Sequence, residues 1–353
     1  MPAPTTNQDH SRDAEWHRLC SISAAVGRDT GLVQGAGGNV SLKSDGKLRV
    51  KASGKWLADA ELDDIFVSLS LECARSRVAS DSEDFSSCLL DNATLKPSIE
   101  TGMHAVLPHR VVLHVHSVNV LSYAVLEHGK VQLRQLLGGI PWRWIPYCRP
   151  GAPLTRAVRA AVDVASGTSP LALVLGNHGL VVAADSVDGA MSLLNAVEDA
   201  LRRPARMVEV AAHRAALERL AIEVGAKLPL NDAAIPLAVD TLSLEVAAMG
   251  ALYPDHVVFL GAMPTIRSQD EMKHFSWADC DTPYVIVKNL GVLARSDVSA
   301  NAEAMLGCWA DLALRIADPT QISPLTESSI LELTGWDAER YRQSLARAQH
   351  PCK

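Results

Sequence analysis

Strand-like and helix-like segments are intermixed from one end of this chain to the other, and that mixing narrows its fold more than any other feature. A chain patterned in this way packs helices against a sheet, so an α/β layered fold is expected. VVLHVHS over 111–117 reads as a β-branched strand, and LALVLGNHGLVVAA over 171–184 as strand, tight turn, strand. Residues 39–43 and 47–52 read as two strands joined by a turn at Ser44-Asp45-Gly46, and further strands are expected near 131–137 and 140–147. Helices are expected over 14–30, over 97–107 with Ser98 as N-cap, over 154–165, and from 185 towards 224 with a break at Pro204. Beyond these, helix 240–252, strands 257–261 and 284–294, and helices 298–317 and 337–348 are expected. Residues 1–12 read as a frayed leader and 79–96 as a polar loop.

The length of 353 residues suggests about two domains, or one with a large extension. With 48% hydrophobic residues there is material for a real core, which excludes wholesale disorder. Lys and Arg number 33 against 40 Asp and Glu, a net charge of −7, and no basic run occurs. That argues against a dedicated nucleic-acid binder, which needs a basic footprint. Aromatics at 5% argue against a base-stacking surface. No apolar run reaches the ~18 residues that read as a membrane span. The opening MPAPTTNQDHSRDAEW has no apolar h-region, so no signal peptide and a cytoplasmic location are expected. Seven cysteines, at 20, 73, 88, 148, 280, 308 and 352, are odd in number, widely spaced and without a C-x-x-C. Free thiols serving as small core residues are the expectation.

His114 and His116 stand at i and i+2 of a strand and so project from one face. Side-by-side imidazoles suit a first-row metal such as zinc, although H-x-H alone also describes half-exposed strand histidines. His178 lies at a tight turn beside Gly179, where a histidine is either placed as a ligand or bonded to its own backbone. Glu100 precedes His114 by fourteen residues. A first-turn carboxylate serves either as a helix-dipole partner or, beside a metal, as a general acid/base. Gly35-Ala36-Gly37-Gly38-Asn39 lacks the third glycine of a dinucleotide fingerprint, since Val40 stands there and strand-like sequence follows. With Ser41 it could instead cradle an anion, as could Ala52-Ser53-Gly54, and plain turn chemistry describes each equally.

The order GAGGNVS, KASG, PSIET, HVHS, NHG resembles the class II aldolase/adducin superfamily across about residues 14–215. P-S-I-E-T-x-x-H-A with a short gap to H-x-H is most similar to the aldolase part of bifunctional rhamnulose-1-phosphate aldolase/dehydrogenase proteins. So are PYCRPG (146–151), YPDHVVFLG and VIVKNLGVLA. No Rossmann fingerprint is found in these residues. The resemblance implies a three-layer α/β/α fold with a central, mainly antiparallel sheet. It implies a catalytic domain over 1–225, with a smaller α/β extension over 226–353. It implies Zn2+ or another divalent metal held by His114, His116 and His178, with Glu100 as catalytic acid/base. Asn39, Ser53, Gly54 and Ser98 match substrate- and phosphate-binding positions, whereas Ile99 replaces a serine found in fuculose-phosphate aldolases.

The expected activity is that of a zinc-dependent retro-aldol lyase. It would cleave a ketose or ketose 1-phosphate, such as a deoxy-ketose phosphate, through a metal-bound enediolate. A sugar-phosphate epimerase, dehydratase or decarboxylase would use the same metal site, and a non-catalytic adducin-like scaffold is the reading from another class. A small sugar or sugar-phosphate partner, no nucleic acid or membrane, and a homotetramer are expected with it.

Overall fold

The computed structural model describes residues 6–90, 94–163, 167, 169–230 and 232–349. Residues 1–5 of the expected leader, 91–93 of the expected loop and 164–165 of the expected helix lie outside these. The chain forms two compact units that interleave in sequence.

The first unit takes in residues up to Val115, then Gly139–Val174 and Leu180–Asp199. Its seven strands are β1 (Asn39–Ser44), β2 (Lys47–Lys51), β3 (Phe66–Ser70), β4 (Val111–Val115), β5 (Trp142–Ile145), β6 (Leu171–Leu175) and β7 (Gly179–Ala184). They form one sheet in the order β3-β2-β1-β4-β7-β6-β5, with β1/β2, β2/β3, β1/β4 and β4/β7 antiparallel. The expected α/β class with a central, mainly antiparallel sheet is therefore present. The β1–β2 hairpin turns on Asp45 and Gly46, both at positive φ (52° and 71°), as a two-residue type I′ connection requires. Every residue of β4, β6 and β7 is buried, which is why their sequences show no polar alternation and, His114 apart, are apolar throughout.

The second unit takes in His116–Gly138, Leu175–Gly179 and the chain from Ala200 onward. Its sheet has the order β8-β11-β10-β9, where β8 is Ala226–Lys227, β9 Ile266–Arg267, β10 Tyr284–Val287 and β11 Gly291–Arg295. Helix Ala300–Ala313 supplies Met305, Leu306, Trp309 and Leu312 to a core shared with Tyr253, Phe259 and Tyr284.

Several expected elements differ. VVFLG is not a strand: Pro254–Leu260 is a helix. Pro254 at its start and Gly261 at φ 94° just past its end delimit it. All seven residues are buried, so the chain shows none of the polar/apolar stripe that announces a surface helix. Segment 131–137 likewise lies mainly in a helix, Gly129–Leu136, in which Leu133 is buried while Val131 and Leu136 are exposed. Its Lys, Gln and Arg residues are good helix formers, which outweighs a short Val-x-Leu alternation. Residues 284–294 make two strands, turning at Asn289 with φ 59°. The helix from Val187 ends at Ala200, and a separate one begins at Ala211. Helix Thr101–Val106 starts later than expected, which moves Ser98 off the N-cap position and puts Glu100 there.

Cys73 and Cys88 are disulfide-bonded, contrary to the expectation of free thiols. The fold brings the 79–90 segment back along the sheet, where Leu69 and Leu89 form a bridge, so cysteines fifteen residues apart meet. Cys20, Cys148, Cys280 and Cys308 are free. No described helix is long and apolar enough to cross a membrane.

Candidate metal centre

Strand register places the first part of the site. Asn39 opens β1 directly opposite His114 of β4, and opposed residues of an antiparallel pair share a face. Gly38 is required there: at φ 59°, a Cβ on it would lie 2.7 Å from the His114 carbonyl oxygen. The glycine loop thus lets β1 enter the sheet tight against the histidine strand.

His116 follows β4 by one residue and keeps the alternation of His114. His178 is presented by the β6–β7 turn, where Asn177 takes positive φ (49°). That turn is pinned: Asn177 donates from its backbone to Ala124 O at 3.0 Å and from its side chain to Leu252 O at 3.0 Å and Ser323 O at 2.7 Å. His114, His116 and His178 are all buried, and they offer ligand atoms within 4.8 Å of one another. The His114 Nδ1–H donates to Leu180 O at 3.0 Å, which turns Nε2 towards the Glu100 side. The expected trio therefore converges. A donor set of three neutral imidazoles fits a first-row divalent ion, and three ligands rather than four is the pattern of a catalytic site with a position open.

Glu100 is 5% exposed and occupies the N-cap position of its helix, yet its side chain makes no capping bond. Its Oε2 instead accepts from Asn39 Nδ2 at 2.7 Å and lies 3.4 Å from His114 Nε2. Ser98 Oγ accepts from Asn39 Nδ2 at 3.2 Å and from the Glu100 backbone N–H at 3.3 Å.

His104, on helix Thr101–Val106, organises this group. Burial, with Lys43 adding to it, pushes its imidazole down to about 3, so it is neutral. Nδ1 accepts from Ser41 Oγ at 2.7 Å and the Nε2–H donates to Asn39 Oδ1. With its oxygen so occupied, Asn39 must present its NH2 to Glu100 and Ser98. Nothing in the spacing of a lone helical histidine marks it for this role.

Ser53 and Gly54 occupy a second turn, with Gly54 at φ 76°. Ser53 N–H donates to Lys96 O at 2.9 Å, and Ala52 bridges Pro97, which sets this turn beside the 96–98 segment. Ser53 Oγ is buried with no hydrogen-bond partner among the described residues. Lys51, 2% exposed, ties the two loops together by donating from Nζ to Ala36 O at 2.8 Å and Lys55 O at 2.6 Å.

A group absent from the expectations flanks His116. Its Nδ1 lies 3.3 Å from Asp255 Oδ2, and its ring packs 5.4 Å from that of Tyr253 and 5.5 Å from that of His178. Asp255 stands in the first turn of helix Pro254–Leu260, where a strand over 257–261 was expected to follow. The neighbouring His256 is fully buried, and burial pushes it down to about 3.

His104 and His256 together predict an acid dependence of stability. Both are neutral when folded, and each takes up a proton on unfolding below its ordinary value of ~6.5. The unfolded chain then binds more protons, so stability falls as pH drops from about 6.5 to 3, with a slope up to ~2.7 kcal/mol per pH unit for two groups. In urea titrations across that window, His104→Gln is expected to show about half the wild-type slope that these groups contribute. An unchanged slope would refute the assignment.

Comparison with known proteins gives a family-model match, to the Class II Aldolase and Adducin N-terminal domain, over residues 17–203. The uncharacterized oxidoreductase YuxG of Bacillus subtilis (strain 168) is 31% identical over 175 residues, 45% of this chain and 25% of that protein. The chain is thus matched to about a quarter of that relative's length. Among solved structures, the N-terminal class II aldolase domain of a conserved protein from Thermoplasma acidophilum is 25% identical, with TM-score 0.46, over 57% of this chain and 98% of that one. A sugar-phosphate aldolase from Thermotoga maritima is 17% identical, with TM-score 0.41, over 55% of this chain and 99% of that one.

Proposed function

The chain belongs to the class II aldolase and adducin family, and from that premise we propose that it is a zinc-dependent lyase that splits a ketose or ketose 1-phosphate, such as a deoxy-ketose phosphate, between C3 and C4. The observation that carries this reading is the buried cluster of three imidazoles with a carboxylate that caps no helix beside it. His114, His116 and His178 would hold the ion. When bound, zinc supplies Lewis acidity towards substrate oxygens and offsets the negative charge that develops as the carbon–carbon bond breaks.

Glu100 is the group that holds and moves the proton. Its Oε2 is steadied by Asn39, which His104 fixes in orientation, so the carboxylate meets the substrate without reorganising. Burial keeps bulk water from competing for that proton. In cleavage, the C4 hydroxyl would give up its proton as C3–C4 breaks and the aldehyde C4=O forms, and Glu100 would return one proton to the carbon left at C3; in the reverse direction it would remove that proton.

Asn39, Ser53, Gly54 and Ser98 would form the substrate and phosphate subsite. The unsatisfied buried hydroxyl of Ser53 supports this, since an anion's oxygen would give it a partner. The defining experiment incubates the purified protein with a panel of ketoses and ketose 1-phosphates and identifies products by mass. Two carbon fragments, one an aldehyde, support the lyase; an epimer, a dehydrated product or released CO2 would replace that reading. Within the same assay, Ser53→Ala is expected to raise KM for a phosphorylated substrate roughly 10-fold, the worth of one hydrogen bond to a charged group. The free sugar should be little affected. Asn39→Ala should slow both substrates, because it also releases Glu100. Equal losses for both substrates in Ser53→Ala would leave that loop a purely structural role.

A further inference from the structure

The His116 ring is bordered by a chain of buried charges drawn from distant parts of the sequence. Asp255 is 2% exposed, Glu339 1% and Arg342 8%. Asp255 Oδ2 lies 3.3 Å from His116 Nδ1, while its Oδ1 accepts from Arg342 Nη2 at 3.0 Å. Arg342 Nη1 in turn donates to both carboxylate oxygens of Glu339, each at 3.0 Å, and its guanidinium lies 5.4 Å from the Phe259 ring centre. The Arg342 guanidinium is thus held between the Asp255 and Glu339 carboxylates.

Such an array is a poor way to stabilise a core. Taking three charges out of water costs about as much as their attraction returns, and apolar residues of similar volume often serve as well or better. Its geometry has a more specific consequence. A buried carboxylate facing one nitrogen of an imidazole favours the tautomer with the proton on that nitrogen, sets the ring's rotation and raises the basicity of the other nitrogen. We propose that Asp255, braced by Arg342 and Glu339, is a positioning residue for the metal centre: it holds His116 as the Nδ1–H tautomer with Nε2 available for ligation. The C-terminal segment would thus serve as the outer support of the ion rather than as a separate appendage. The proposal rests on the reading that His114, His116 and His178 bind a divalent metal.

The test measures zinc affinity on the full chain, by competition with a chromophoric chelator, alongside the melting temperature of the metal-free protein. Asp255→Asn keeps the shape and removes the charge. It is expected to weaken zinc binding by roughly 10–100-fold, the usual cost of losing such a support, with little change in the metal-free melting temperature. The visible spectrum of the cobalt-substituted variant should shift, since the His116 ring would be held differently. Asp255→Glu should restore part of the affinity. Should Asp255→Asn fail to fold, Arg342→Lys serves instead: it leaves Asp255 in place, loses the two-pronged brace and should weaken zinc binding to a smaller degree. Wild-type affinity in the folded variants, or an affinity loss that merely follows a lowered metal-free melting temperature, would overturn the proposal while leaving the metal site standing. A wild-type protein that binds no divalent ion would overturn the metal site itself, and the proposal with it.

Discussion

Glu100→Gln is expected to lower turnover by roughly 10²–10⁴ while the divalent ion stays bound, the scale at which general acid–base catalysis contributes. The substitution is nearly isosteric and removes the basic oxygen. Because Glu100 Oε2 accepts from Asn39 Nδ2 at 2.7 Å, the glutamine carbonyl can take over that bond, so the fold should tolerate it. Its place 3.4 Å from His114 Nε2 makes two other roles worth separating. Were it a required ligand, metal content and activity would disappear together. Were it only a first-turn partner of its helix, activity would survive with a stability loss of about 0.3–1 kcal/mol. That last outcome is disfavoured by the geometry, since the side chain makes no capping bond to Thr101–Val106. Zinc content and turnover measured on the same preparation decide among the three, and near-normal turnover would remove Glu100 from the mechanism.

What the sequence made legible follows from how local each signal is. His114 and His116 are two apart on a strand, so their shared face needs only the strand's alternation, and the structure brings their side chains together with His178. The Asp-Gly hairpin and the two runs flanking Asn177 and His178 are equally local. Asp255 was beyond reach for the opposite reason. Its segment is buried on all sides, which erases the periodicity that tells helix from strand, and its partners His116 and Arg342 are 139 and 87 residues away. The part played by the His104 ring depends on Ser41 and Asn39, brought beside it by the pairing of β1 with β4. The Cys73–Cys88 bond belongs with these, since only the return of the 79–90 segment along the sheet makes the pair meet. Local pattern put the histidine pair on one strand face, and long-range packing decided what surrounds it.

Removing His114 or His116 should have the largest effect on the metal. The wild-type protein is expected to carry close to one divalent ion per chain, removable by a strong chelator and restored by added zinc. With three imidazoles converging, the loss of one would leave only two of them to hold an ion. Among the described residues, no fourth His, Cys, Asp or Glu is grouped with them. His114→Ala and His116→Ala are each expected to lose most of the bound metal and essentially all activity. The two differ in what they leave behind. His114→Ala deprives Leu180 O of the donor it has at 3.0 Å, so it should also lower thermal stability, by about 1–3 kcal/mol for an unsatisfied buried acceptor. His116→Ala leaves the Asp255 carboxylate beside a vacated space but still paired to Arg342 at 3.0 Å, so its fold should be tethered better. Metal content by elemental analysis on folded protein is the measurement. Unchanged zinc in both variants would show that the three histidines are packing residues, and the lyase reading would fall with them.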